Sequence, residues 1–231
     1  MSTWDKLLAS KPVLVCAVPP LKKPSFYYLP TSCEAVELRL DYMDNLSLTQ
    51  EVKRAIEDYV SHYPTIVTVR EREEGGGRAV SPEVKYGILE FSKGVGAVPD
   101  VEVDLLVKYP DMYGDVAEGS ILSRHVFSRD VSAYDLAVKD LDTARRFKAL
   151  IYKVFSINDN DFLNLLRLLN VSDINVAVIP RNPTYRAISI MMGSALMYCS
   201  VRGKTGPGQL SIGLCNKVKL LKNSLSMFNR E

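Results

Sequence analysis

Residues 34–40 read EAVELRL, a run of strand length in which Val36, Leu38 and Leu40 alternate with Glu37, Arg39 and, one step on, Asp41. Successive side chains of a strand point to opposite faces, so the three charged residues share one face and the three apolar residues the other. Runs of the same kind recur at 13–18 (VLVCAV), 65–70 (TIVTVR), 100–107 (DVEVDLLV), 119–127 (GSILSRHVF), 150–156 (LIYKVFS), 174–180 (INVAVIP) and 197–201 (MYCSV). Between most of them the apolar residues fall at helical spacing, over 48–62, 81–96, 132–148, 159–169 and 184–196, with a last such stretch at 208–227. Ser81-Pro82-Glu83 and Asn182-Pro183 have the composition of helix starts. Strand and helix in alternation imply a parallel sheet, and eight such units predict an α/β fold, a single (β/α)8 TIM barrel spanning residues 1–231 as one domain. Two units are thin. The proline-rich 19–33 (PPLKKPSFYYLPTSC) predicts a shortened first helix, and 108–118 has room for a turn or two. The runner-up is an open doubly wound sheet, but no G-x-G-x-x-G follows an early strand.

Composition narrows the function. With 47% hydrophobic and 24% charged residues among 231, the chain can bury a sizeable core. The formal net charge is only +2 and no Lys/Arg run exceeds two residues, which argues against a nucleic-acid surface. Cys16, Cys33, Cys199 and Cys215 are widely spaced with no C-x-x-C, and only His62 and His125 could add imidazoles. Neither a metal site nor a disulfide framework is expected from that spacing. VLVCAV is too short for a signal-peptide core, and the uncharged stretch 188–201 is too short to span a bilayer. The expectation is a cytoplasmic protein in a reducing compartment, with no membrane partner.

In a parallel barrel the outer strand face packs on helices, so polar residues at alternate positions must point inward or sit at the C-terminal rim. Asp100, Glu102 and Asp104 share a face in the fourth run, as do Ser123, His125 and Phe127 in the fifth. Lys153 sits between Ile151 and Phe155 on one face of the sixth, and the third run ends on Arg70. The acidic residues read either as halves of buried ion pairs or as site residues. His125 alone would read as a satisfied core imidazole, but a lysine lies on the next strand. A buried amine is either paired or kept neutral, and a neutral amine is a nucleophile. It can attack a ketone to form an iminium that acidifies the neighbouring C–H. A histidine can then take that proton and return one to a departing hydroxyl, while arginines hold a carboxylate. The class predicted from the residues is a Schiff-base lyase or aldolase acting on a small hydroxylated keto acid.

The chain also resembles a known family, the type I 3-dehydroquinate dehydratases, from about Glu34 to Ser211. The resemblance is carried by ELRLD at 37–41, TVREREEGG at 68–76, DVEV at 100–103, SRH at 123–125, YKV at 152–154, and a block from Arg186 through GSA at 193–195 to PGQLS at 207–211. It implies Lys153 as the Schiff-base lysine, His125 as general acid/base and Glu74 as the residue that orients it. It implies Glu37, Arg39 and Arg70 as ligands of the ring hydroxyls, and Arg186 as a carboxylate clamp closed over by Gln209 and Thr205. The implied reaction is dehydration of 3-dehydroquinate to 3-dehydroshikimate in the shikimate pathway, by syn elimination without metal or organic cofactor, in a homodimer. Alternatives are an inactive keto-acid-binding barrel and a Schiff-base aldolase.

Several residues depart from the family pattern. Val126 stands where a polar residue usually follows the histidine, Tyr185 where a serine precedes the arginine, and Thr205 for a serine. Cys16 falls near a position where the family offers a substrate-contacting serine. Glu71, Arg72 and Glu73 read as a solvated turn, His62 as a surface or capping residue, and Met191, Met192 and Met197 as core. Lys217, Lys219 and Lys222 read as the solvated face of the last helix.

Overall fold

The structure, a computed structural model, describes residues 2–18, 25–171 and 173–228. After a short helix α1 (Thr3–Ala9), the first half of the ring is β1 (Val13–Ala17), β2 (Ala35–Arg39), α2 (Gln50–His62), β3 (Thr65–Thr68), α3 (Pro82–Gly94) and β4 (Val98–Glu102). Helices α4 (Val103–Lys108) and α5 (Pro110–Ala117) lead to β5 (Ile121–Val126), α6 (Ala133–Arg146), β6 (Ile151–Ser156) and α7 (Phe162–Arg167). The chain ends with β7 (Asn175–Pro180), α8 (Pro183–Met191), β8 (Leu196–Ser200), β9 (Leu210–Ser211) and α9 (Ile212–Phe228). Every strand pairing is parallel, in the order β7-β6-β5-β4-β3-β2-β1-β8-β9. The ends of that order meet: the Ala195 amide donates to the Val176 carbonyl at 2.8 Å, and the Val178 amide donates to Ser194 Oγ at 3.1 Å. The sheet is therefore curled into a ring, with β9 added beside the C-terminal end of β8.

Alternation then sorts the side chains. Val13, Val15, Ala35, Ile66, Val98, Ile121, Ile151, Ala177 and Leu196 point inward and fill the N-terminal half of the barrel, with Trp4 and Leu8 of α1 packed on the same cluster. Val36, Leu38, Val67, Val101, Leu122, Val154 and Val178 point outward under the helices. Helix α1 is an addition to the expected elements. Its Ser2–Asp5 capping box satisfies the first turn, but seven residues are too few for periodicity to reveal it.

Other boundaries also need correction. The fourth strand ends at Glu102, and the chain coils at once into α4, because Val103, Leu105 and Leu106 make a buried helical face. Asp104 thus leaves the inward face and pairs on the outside with Arg124 at 2.8 Å. Within 108–118 the turn or two expected is α5, eight residues started by Pro110. Residues 25–34 hold no helix, and 19–24 lie outside the described residues, so the shortened first helix is not seen in the part described.

The expectation of unpaired cysteines is overturned. Cys16 bonds Cys33, and Cys199 bonds Cys215. Cys16 and Cys199 are register partners on neighbouring strands, facing outward, and each meets a cysteine 16 or 17 positions away in sequence only through the fold. Cys16 is therefore turned away from the barrel interior. Among the described residues no helix is long and apolar enough to cross a membrane, and no cluster of His, Cys, Asp and Glu has metal-site geometry. Lys219 is not solvated: it is buried against Glu34, at 2.6 and 2.7 Å. Met192 is exposed rather than core, whereas Met197 is buried. His62 is exposed in the last turn of α2, its Nδ1 2.8 Å from the Asp58 carbonyl.

Candidate active site

Above the apolar layer the inward positions turn polar, and the register sets them side by side: Ser123 lies opposite Lys153, and His125 opposite Phe155. The Lys153 ammonium donates to Asp100 Oδ2. The other oxygen of Asp100 accepts from Arg70 Nη2 at 2.8 Å and from Ser123 Oγ at 2.5 Å. Arg70 Nη1 donates to Glu102 at 2.9 Å, and Glu102 also takes the buried Lys85 of α3. Asp100 and Glu102 are thus ion-pair halves, and the same pairs hold the lysine and arginine at the rim. Burial opposes charge on Asp100, but Arg70 and Lys153 outweigh it and hold the carboxyl well below the usual range. Lys153 moves the other way: burial lowers its affinity for a proton, and Asp100 only partly restores it.

His125 is the penultimate residue of β5, and its partner arrives by a loop. After β3 the chain passes Arg70 and forms a single 3-10 turn over Arg72–Glu74, closed by Gly75 at φ 84°. Glu74 Oε2 lies 2.8 Å from His125 Nδ1 and accepts the His125 backbone N–H at 3.1 Å. Burial, then the Arg70 and Lys153 cations, push the imidazole well below its ordinary pKa. Burial and the neighbouring Glu102 push the Glu74 carboxyl up to about 8. Arg70 Nη1 is 3.8 Å from Glu74 but already bonded to Glu102, so it compensates only in part. Both shifts favour the uncharged pair, which leaves Nε2 of His125 toward the cavity. Arg72 and Glu73 are exposed as expected, but Glu71 is not a free turn residue: it accepts from Lys85 Nζ at 2.8 Å, and its amide donates to Glu102 at 3.0 Å.

The remaining expected residues line the same cavity. Glu37 accepts from Thr68 Oγ1 at 2.9 Å, and Arg39 forms a two-pronged pair with Asp41, both bonds 2.8 Å. Arg186 of α8 is buried and donates only to backbone carbonyls, Nε to Pro180 at 2.8 Å and Nη2 to Pro207 at 2.6 Å. Burial alone lowers its pKa to about 10, since no carboxylate among the described residues pairs with it. Pro207 belongs to the loop that carries Thr205 and Gln209, where Gln209 Oε1 accepts the Thr205 amide at 2.9 Å. Gly208 lets this loop lie on the β7 end, since a Cβ there would stand 1.6 Å from the Arg181 carbonyl oxygen.

Glu37, Arg39, Arg70, Glu74, His125, Lys153, Arg186, Thr205 and Gln209 therefore meet around one space. Two departures from the family pattern fall outside it, since Val126 packs into the outer core and Tyr185 stacks on Phe162 at 4.3 Å, whereas Thr205 lines the cavity. Tyr198, which is not among the expected site residues, also lines the cavity, its ring centre 4.9 Å from Lys153 Nζ. Its inward parity on the eighth strand was the available signal.

Comparison with known proteins gives the same direction. A family model described as type I 3-dehydroquinase matches residues 27–221. The 3-dehydroquinate dehydratase of Ignicoccus hospitalis is 33% identical over 186 residues, covering 77% of this chain and 80% of the relative. That of Methanopyrus kandleri is 26% identical over 183 residues, covering 78% and 83%. The solved type I 3-dehydroquinate dehydratase from Clostridium difficile superposes with a TM-score of 0.74 at 21% identity, covering 92% of this chain and 93% of that one. The 3-dehydroquinate dehydratase from Geobacillus kaustophilus gives 0.76 at 16% identity, covering 93% and 92%.

Proposed function

The chain belongs to the type I 3-dehydroquinase family, a family of lyases, and on that premise we propose that it dehydrates 3-dehydroquinate to 3-dehydroshikimate through a Schiff base on Lys153. The observation that carries the mechanism is a buried amine of lowered proton affinity sharing one cavity with a neutral imidazole and an arginine that has no carboxylate partner among the described residues.

Arg186 supplies the charge a substrate carboxylate needs, with Thr205 and Gln209 covering that end. Glu37, Arg39 and Arg70 bind ring hydroxyls on the other side. The Lys153 ammonium gives up a proton, the amine attacks the ketone carbon, and a proton returned to the carbinolamine oxygen lets it leave as water, so that an iminium remains. Nε2 of His125, free because Nδ1 faces Glu74, takes a proton from the adjacent carbon to give an enamine. Collapse of the enamine expels the hydroxyl, which leaves as water with that proton, and hydrolysis of the iminium releases product and lysine. Each step uses only side chains of the chain. The shikimate-pathway role, a cytoplasmic setting and a homodimeric state belong to the same proposal, but the two disulfides remove the support that the cysteine spacing lent to a reducing compartment.

The test is incubation with 3-dehydroquinate, following conjugated-enone absorbance, then borohydride reduction and mass mapping of the adduct. The expected label is on Lys153. Label elsewhere, or full turnover by Lys153→Ala, overturns the mechanism. His125→Ala should still form the adduct while turnover falls by about 10²–10⁴. An aldolase would instead release a shorter carbonyl fragment, and a binding relic would give neither absorbance nor product.

A further inference from the structure

Among the described residues, the Tyr198 hydroxyl is the buried side-chain oxygen that meets no hydrogen-bonding group of the protein. The residue is 8% exposed. On β8 it stands in register with Val15 of β1 and belongs to the interior cluster, so its side chain points into the barrel. There it joins His125, Lys153 and Arg186 in lining the cavity, its ring facing the Lys153 nitrogen. Other polar groups of the site are already engaged, Glu37 by Thr68, Arg39 by Asp41 and Gln209 by Thr205. Native folds bury few hydroxyls without partners, because each forfeits its bonds to water. Tyr198 lines the binding cavity, so a bound molecule is a source for the partner that its hydroxyl lacks among the described residues. Burial, then Glu37 and Asp100, raise the phenol's pKa well above its ordinary value, so it is a neutral donor at any working pH.

We infer that Tyr198 is a further substrate-contacting residue: its hydroxyl donates a hydrogen bond to an oxygen of the bound hydroxylated keto acid, while its ring backs the nitrogen of Lys153. The inference rests on the dehydratase reading for its choice of ligand. It differs from the roles of Arg39 and Arg70, which already hold carboxylates of the protein, because binding supplies Tyr198 with a bond it lacks.

The conservative variant Tyr198→Phe keeps the ring and deletes only the oxygen. A bond present in both bound and transition states, when lost, raises KM and leaves kcat nearly unchanged. KM for 3-dehydroquinate should rise about ten-fold, with kcat within about two-fold and the Lys153 adduct still trapped at saturating substrate. The ligand-free variant should unfold at the same or a higher temperature than wild type, since a partnerless hydroxyl has been removed. An unchanged KM overturns the inference, and so does a raised KM accompanied by a lowered unfolding temperature, which marks a structural bond. The wild-type assay run alongside separates the two readings. If wild type does not turn over 3-dehydroquinate, the dehydratase reading fails; if it does and Tyr198→Phe matches it, only the role of Tyr198 fails.

Discussion

The Glu74–His125 pair is where single side chains decide most. Two forces converge on it: burial, which disfavours charge on either group, and the surrounding ions, of which Arg70 and Lys153 repel a proton from His125. The carboxyl, raised from 4.5 to about 8, binds more protons in the folded than in the unfolded chain between those values. Its contribution to stability is complete below pH 4.5 and lost as pH rises through about 8. His125 has the opposite sign. Depressed below 6.5, it contributes fully above pH 6.5 and loses that contribution as pH falls. Between pH 6.5 and 8 the carboxyl acts without opposition from the imidazole, and Glu74→Gln should remove a fall of about 1–2 kcal/mol in unfolding free energy across that window. Urea midpoints at several pH values check it, and an unaltered slope in the variant would show that Glu74 is ionised when folded.

At the scale of elements, the loop from β3 to α3 does what neither strand nor helix can, bringing Glu74 back over the mouth. It is anchored at both ends, by Glu71 on the buried Lys85 and by Gly77, whose amide donates to Asp41 Oδ2 at 2.9 Å. Its tightest point is Gly76, where a Cβ would stand 2.0 Å from the Arg70 carbonyl oxygen and 2.8 Å from that of Glu71. Those are backbone atoms and cannot swing aside. Gly76→Ala must therefore displace the loop, and a shift of about 1 Å in Glu74 is enough to cost roughly 100-fold in kcat/KM. The ring of strands is untouched, so the thermal midpoint should change by no more than a few degrees. Steady-state kinetics beside a melting curve separate the two effects. The motif VREREEGGGR was legible as charged residues around a turn, and the Arg70-to-Glu74 spacing marked it through family resemblance. That Glu71 is tied down was not legible, because its partner Lys85 comes from α3, 14 positions on.

For the whole molecule, the two disulfides flank the seam between β1 and β8. One closes the connection from β1 to β2; the other encloses the loop that carries Thr205, Pro207 and Gln209. Loops closed over separations of 17 and 16 residues each remove about 3 kcal/mol of unfolded-chain freedom on the loop-entropy account. Reduction with a phosphine should therefore lower the urea midpoint, and the single pair Cys199→Ser with Cys215→Ser should show about half the effect of full reduction. Identical midpoints with and without reductant would mean that the bonds are absent in solution.

Along the chain, strand-length runs with period two, separated by helical spacing, were enough to determine the parallel barrel, because both signals are local and each repeats around the ring. The inward face of Glu37, Asp100, Glu102, Ser123, His125 and Lys153 followed from the same alternation, which backbone geometry imposes wherever a strand forms. What lay beyond the sequence were partners whose meeting depends on register and on loops. Asp100 with Lys153, Glu71 with Lys85, Lys219 with Glu34 and the two cysteine pairs are contacts between distant segments. Asp104 lies on the outside because the chain turns helical at Val103, one residue before it, a choice made by the packing of Val103, Leu105 and Leu106 rather than by their order. The parity of Tyr198 is written in the sequence; that its hydroxyl has no partner among the described residues is a fact of three-dimensional packing, since only the closed barrel determines which groups come within reach of it.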